Sequence, residues 1–175
     1  MNSRYANWDQ SPLHGQKDFF MLLRQRDDTF QVATQVQWAD LAPQVPPNSS
    51  CRLQLQLPTN DMQTTAGAEP IFNLYQVERA AGAAATWNTY EARNATSGSQ
   101  VVPVFGQVNG TAAAQEQQWN VTGGIYDIGA TACNDTLTWQ MGMAFNGGDV
   151  VNYWDFLNVA PPATPIQGFR LLNGC

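Results

Sequence analysis

Fourteen carboxylates, one histidine and three cysteines carry most of the reactive chemistry open to this 175-residue chain. Hydrolysis of a glycosidic bond needs two carboxyl groups facing each other roughly 5–10 Å apart, one of them with a raised pKa. The candidates are Asp127 in GGIYDIG, Asp149 in NGGDVV, Asp155 in YWDF, and Glu78 and Glu91. No spacing among them singles out a pair, so they read first as solvated carboxylates. A Ser-His-Asp triad would have to use His14, the single histidine, and no G-x-S-x-G is present. Oxidative copper chemistry would need a histidine at the N-terminus and a second one. Gly-rich phosphate loops are absent. Cys51, Cys133 and Cys175 are widely spaced with no C-x-x-C, which does not make the four-ligand set of structural zinc. NGGDVVN and YDIG carry the oxygens that Ca²⁺ takes, and they are equally ordinary turns. The expectation is a chain without a catalytic constellation and without a resident cofactor; a glycoside-active enzyme is the least favoured reading.

Binding chemistry is better supplied. Six Trp and five Tyr exceed what a small core needs. Sugars stack on aromatic faces, while amides and carboxylates bond their hydroxyls. Trp38, Trp87 and Trp139 lie in strand-like runs and are assigned to the core. Tyr126, between GGI and DIG, is assigned to an exposed loop. Tyr126 and Trp154 are therefore the leading sugar-binding candidates, with Trp119, Trp8, Asp127 and Asp155 beside them.

Five Asn-X-Ser/Thr triplets stand at Asn48, Asn94, Asn109, Asn120 and Asn134. The frequencies of Asn and of Ser plus Thr predict fewer than two. Most of the five fall in Gly/Ser/Thr-rich stretches where a glycosyltransferase could reach them. Three cysteines allow one disulfide with a thiol left over. A Cys opening one strand can face a Cys ending its antiparallel neighbour. Cys51 begins CRLQLQLP and Cys175 follows FRLLNG, so Cys51–Cys175 is the favoured bond and Cys133–Cys175 the alternative.

The elements that position these groups are strands. In CRLQLQLP, Leu53, Leu55 and Leu57 alternate with Arg52, Gln54 and Gln56. A period of two puts the leucines on one face and the amides on the other, as in an antiparallel sheet with one wetted surface. TFQVATQVQW and TLTWQMGMAF repeat the pattern. Shorter candidates are KDFFMLL, FNLYQV, ATWNTY at 85–90, VVPVFGQV, QQWNVT at 117–122, VNYWDFL and IQGFRLL. Gly, Pro, Asn, Ser and Thr fill the intervals, and no apolar stripe of helical period stands out. About ten strands in one domain spanning 1–175, with 1–16 irregular, predict an all-β antiparallel sandwich of jelly-roll type with very little helix.

Charged residues make up 13% of the chain, about half the usual share. A net charge of −6 argues against nucleic acid or an anionic membrane as partner, since binding to phosphate rests on Lys and Arg. No apolar run approaches the ~18 residues that span a bilayer. MNSRYANWDQ has no apolar core of a signal peptide, and with the sequons the chain reads as the mature part of an extracellular or cell-wall protein.

A resemblance points the same way. SSCRLQLQLP, FNLYQV followed by ATWNTY, ACNDTLTWQMGMAF, YWDFLN and PIQGFRLLNGC are similar to the motifs of the But-type C-terminal domain. That family of small fungal secreted domains is labelled after a binding protein for ubiquitin-family modifiers. The likeness covers roughly residues 30–175. ACNDT departs from the family's Cys-Pro-Ala-Gly, and the first 29 residues match none of its motifs. The resemblance implies a β-sandwich and secretion, and it implies no activity. Modifier binding is not carried over, because an extracellular module would not meet that partner. The combined expectation is a secreted, non-catalytic domain that binds cell-wall or plant polysaccharide or a cell-surface glycan. The alternative is a structural wall protein or an effector acting by contact with a wall or host protein.

Overall fold

The computed structural model describes residues 19–25, 30–42, 44–46, 48–57, 63–83, 85, 86, 89–91, 102–145 and 150–173. They form strands β1 (Phe19–Arg24), β2 (Gln31–Val32), β3 (Thr34–Trp38), β4 (Ser50–Gln56), β5 (Gln63–Ala66), β6 (Ile71–Val77) and β7 (Gly106–Asn109). Helix α1 (Ala112–Thr122) follows, then β8 (Ile125–Ala132), β9 (Leu137–Met143), β10 (Asn152–Leu157) and β11 (Gly168–Asn173). All pairings are antiparallel and give three sheets, ordered β2-β1-β10-β5, β11-β4-β8 and β3-β9-β6-β7. The all-β sandwich expected from period-two alternation is the fold.

Alternation fixes which residues enter the core. In β4, Cys51, Leu53 and Leu55, with Leu57 just beyond, are fully buried, while Arg52, Gln54 and Gln56 face outward. Burying each leucine contributes about 1.5–3 kcal/mol relative to exposure. β1 and β10 send in Phe20, Leu22, Trp154 and Phe156, and β6 sends in Phe72 and Leu74. The three sheets meet at one aromatic junction. Phe169 of β11 lies 5.4 Å from Phe20, 6.1 Å from Phe156 and 6.4 Å from Phe72, centroid to centroid. Phe20 stacks on Phe156 at 4.4 Å. Polar bonds lock the first sheet to the third: Arg24 Nη1 donates to the carbonyls of Met143 and Ala144, and Thr34 Oγ1 donates to that of Met21.

Four details differ from the expectation. QQWNVT is not a strand but the C-terminal half of α1, whose Ala, Gln and Glu residues are strong helix formers. Gly123, at φ 67°, terminates it in the left-handed conformation, where its N–H reaches Trp119 O. α1 has no apolar stripe because polar bonds hold it. Gln115 donates to Gly110 O at 3.0 Å and Trp119 Nε1 to Leu57 O at 2.6 Å. GGIYDIG is not a loop but opens β8, and QTTA forms β5. ATWNTY is not a strand in its described residues, and Trp87 and Asn88 lie outside them.

The disulfide also differs. It joins Cys51 to Cys133, with Cα atoms 5.0 Å apart, rather than Cys51 or Cys133 to Cys175. β4 does pair with the last strand, and Asn173 stands opposite Cys51. But β4 is the middle strand of its sheet. Its other neighbour, β8, places Thr131 opposite Cys51, and the backbone of Cys133 bonds Ser49 at 3.0 Å. Cys175 itself lies outside the described residues.

Peptide mapping without reduction should find Cys51 joined to Cys133 and Cys175 alkylated. The bond closes a separation of 82 residues, for which the chain-entropy model gives at most about 4.5 kcal/mol. Cys133→Ser should therefore lower the melting temperature by roughly 10 °C, at about 2–4 °C per kcal/mol for a chain of this size.

Candidate functional site

Among the described residues, the aromatic platform expected from the sequence does not form. Trp154 is fully buried on β10; its ring packs 5.2 Å from Phe72 and its Nε1 donates to Gln63 Oε1 at 2.8 Å. It offers no face to a ligand. Tyr126 lies opposite Leu55 on the inner side of β8 and packs against the core. Its hydroxyl is buried with no hydrogen-bond partner among the described residues, and burial pushes its pKa up to about 12. Trp119 is half-buried on α1 with its indole N–H consumed by Leu57 O. Trp8 lies outside the described residues. Trp139 is core, as expected; Trp38 is half-buried at its edge, 5.6 Å from the Trp139 ring.

The named carboxylates stand apart. Asp127 is on the outer face of β8 and Asp155 on that of β10, where it accepts from Thr64 N–H at 3.1 Å and from the Tyr153 hydroxyl. Glu78 follows β6 and Glu91 lies near the end of the described part of a returning segment. Asp149 and His14 are outside the described residues. Among the described residues, no three His, Cys, Asp or Glu side chains form a group that could hold a metal ion.

The outer amides have two different fates. On the third sheet they are covered. The described residues between Ala80 and Glu91 fold back over β3 and β9, and glutamines of those strands hold them down. Gln37 donates to Ala80 O at 3.1 Å and accepts from Gly82 N at 2.8 Å. Gln140, only 2% exposed, donates to Thr89 O and Gln35 Oε1 and accepts from Glu91 N. The Tyr90 hydroxyl sits so close over Gly142 that a Cβ there has no room. The wetted surface expected of TFQVATQVQW is thus a clamp.

On the second sheet the amides stay at the surface. Arg170 of β11 donates from Nε and Nη2 to Gln54 Oε1, at 3.2 and 2.9 Å, and from Nη1 to Gln56 Oε1 at 2.7 Å. Arg52 pairs with Asp127 at 2.8 Å, and their side chains are 42% and 50% exposed. This arrangement consumes acceptors. Both amide oxygens are taken by Arg170, while the Nε2 groups of Gln54 and Gln56 have no partner among the described residues. Arg170 itself has neutral amides and no carboxylate as partners. The face is a rigid array of spare N–H donors. Alternation alone placed Gln54 and Gln56 outward; Arg170 and Arg52 were missed because their partners sit on other strands.

An open cleft of about 650 Å³ lies between the end of β6, residues 103–105, β8 and the loop that leads into β9. Val104, Phe105, Asn134 and Thr136 all line it, and Glu78 is its only carboxylate among the described residues. Four of the sequon asparagines, Asn48, Asn109, Asn120 and Asn134, are exposed, and Asn94 lies outside the described residues. No helix is long and apolar enough to cross a membrane among the described residues.

No family model, curated protein or solved structure matches the chain. The likeness to the But-type domain therefore stands on its sequence motifs alone.

Truncation separates core from ligand roles. Tyr126→Ala should lower stability by about 2 kcal/mol in denaturant unfolding, near the lower end for large-to-small core changes because the ring is only half-buried. Tyr126→Phe should be neutral or slightly stabilising, because it removes a buried hydroxyl without a partner. The raised pKa means the folded state binds the phenolic proton more tightly than the unfolded state. Stability is full below the unfolded value near 10 and falls as pH rises towards about 12. Burial raises Tyr90 and Tyr153 as well, so Tyr126→Phe should reduce this alkaline loss without abolishing it.

Proposed function

We propose that this is an extracellular, non-catalytic domain that binds a cell-wall polysaccharide on the outer face of the β11-β4-β8 sheet. One observation carries the reading: Arg170, held flat by Gln54 and Gln56 with no carboxylate partner among the described residues, sits in a face whose unspent groups are mostly donors. Such a face suits a ligand rich in acceptors. The net charge of −6 opposes polyanions at long range, but at this local face sugars bearing carboxylates fit best, since a guanidinium already oriented by three hydrogen bonds loses little entropy on meeting one. Asp127 fixes Arg52 at the far side of the strip and leaves part of its own carboxylate for a hydroxyl. Exposed rings are not required, so affinity comes from many weak polar contacts along a chain of repeating sugars. The disulfide supports an oxidising compartment, and exposed sequons support passage through a glycosylating one.

The protein-contact reading has an observation of its own. Met21, Leu23, Tyr153 and Leu157 alternate with core residues and so share the outer face of the β2-β1-β10-β5 sheet, where Leu157 is 48% exposed.

Retention on immobilised polygalacturonate should exceed retention on a neutral β-glucan and should fall with added salt. The pair Arg52→Gln and Arg170→Gln should cut it at least tenfold with little change in melting temperature. Equal retention of the double variant would sink the assignment to this face. Retention of the wild-type chain by no polysaccharide would remove the ligand class and leave the apolar outer face as the site to pursue.

A further inference from the structure

The large cleft plays no part in that reading, and its rim carries an unusual combination. Asn134 and Thr136, the acceptor and the hydroxyl residue of one sequon, both line it. We propose that the cleft is the seat of the domain's own N-glycan: Asn134 is glycosylated, and the first sugars lie across the cleft rather than projecting into solvent.

The acceptor loop has little freedom to aim elsewhere. Immediately before Asn134, Cys133 is tied by its disulfide to β4 and by its backbone N–H to Ser49 O at 3.0 Å. Immediately after it, Asp135 is held at both ends: its carbonyl accepts from Leu41 N–H at 3.1 Å and its Oδ1 from Ala42 N–H at 3.2 Å. Asn134 itself is exposed. The geometry therefore sets where the N-glycosidic bond begins. Within the same cleft, Val104 and Phe105 offer apolar surface to the N-acetyl methyl group and sugar-ring faces, while Gln76 and Glu78 offer a polar margin for hydroxyls. Phe105 is backed by Trp139, 5.6 Å away, and by Gly129, where an added Cβ would come within 3.2 Å of the Phe105 ring. The apolar side is thus rigid. A cleft of about 650 Å³ falls in the ~300–1,000 Å³ range of small-ligand sites. Tethering supplies an effective concentration of roughly millimolar, so sub-millimolar sugar contacts suffice to keep it mostly filled. An external ligand of the cleft would compete with a permanently attached one, which leaves the donors around Arg170 as the open surface. The inference stands independently of what that surface binds.

The test uses the full chain made in a glycosylating eukaryotic host, with Asn48, Asn94, Asn109 and Asn120 changed to Gln so that Asn134 is the single acceptor. Val104, 51% exposed on the cleft wall, is changed to Cys in a Cys175→Ser background as a reporter. Intact mass should show a glycan at Asn134, and maleimide labelling of the reporter should be at least fivefold slower than in the same chain carrying Asn134→Gln. Hydrogen exchange at residues 102–105, measured on the chain without the added cysteine, should likewise be slower when the glycan is present. Absence of a glycan at Asn134 overturns the proposal. So does a glycan that changes neither labelling nor exchange, which would mean that it projects away from the cleft.

Discussion

Everything in this molecule hangs on the meeting of four phenylalanine rings. Each of its three sheets is small, with three or four strands, and none can bury a face alone. Phe169 of the second sheet touches Phe20 and Phe156 of the first and Phe72 of the third. That junction makes the three apolar faces one core, with Leu53, Leu55 and Leu74 packed beside it. Because the rings come from strands far apart in the chain, the outer faces of all three sheets are set at the same time. Where Arg170 stands on the surface follows from where its neighbour Phe169 stands inside.

The glutamines show how one residue type serves two ends. On β3 and β9 they are spent on the protein's own backbone, pinning Ala80, Gly82, Thr89 and Glu91 over the third sheet. On β4 they are spent on a guanidinium, and the surface stays open. Sparse charge makes this necessary. With one lysine in the chain, amide hydrogen bonds do the work of holding segments that ion pairs do elsewhere. α1 follows the same economy, docked by Gln115 and Trp119 donating to backbone carbonyls rather than by an apolar stripe.

The aromatic residues teach the opposite lesson. Tyr126 and Trp154 suggested a sugar platform because the chain holds more large rings than a small core requires. The core shared by the three sheets takes in Phe20, Phe72, Trp139, Trp154 and Phe156, and so uses several of the large rings that seemed in excess. Trp154 is accommodated because Gln63 meets its indole N–H; the Tyr126 hydroxyl is buried without such a partner.

Local pattern by itself determined the strand class, the inward leucines of β4 and the core place of Trp139. Side-chain alternation is a property of the chain with no reference to neighbours, so it can be read one residue at a time. α1 escaped because a helix held by polar bonds leaves no periodic trace, and β8 escaped because glycines before and within it read as a loop. Tertiary structure alone decided the rest. It chose Cys133 over Cys175, since β4 has a cysteine-bearing neighbour in sequence on either side and only the register of β8 is closed by the bond. It turned one amide face into a clamp and left the other bare, because covering a face depends on where a distant loop returns. It put Asn134 and Phe105 in the lining of one cleft, a proximity that no spacing in the sequence encodes, because strands paired through space carry no record of their separation along the chain.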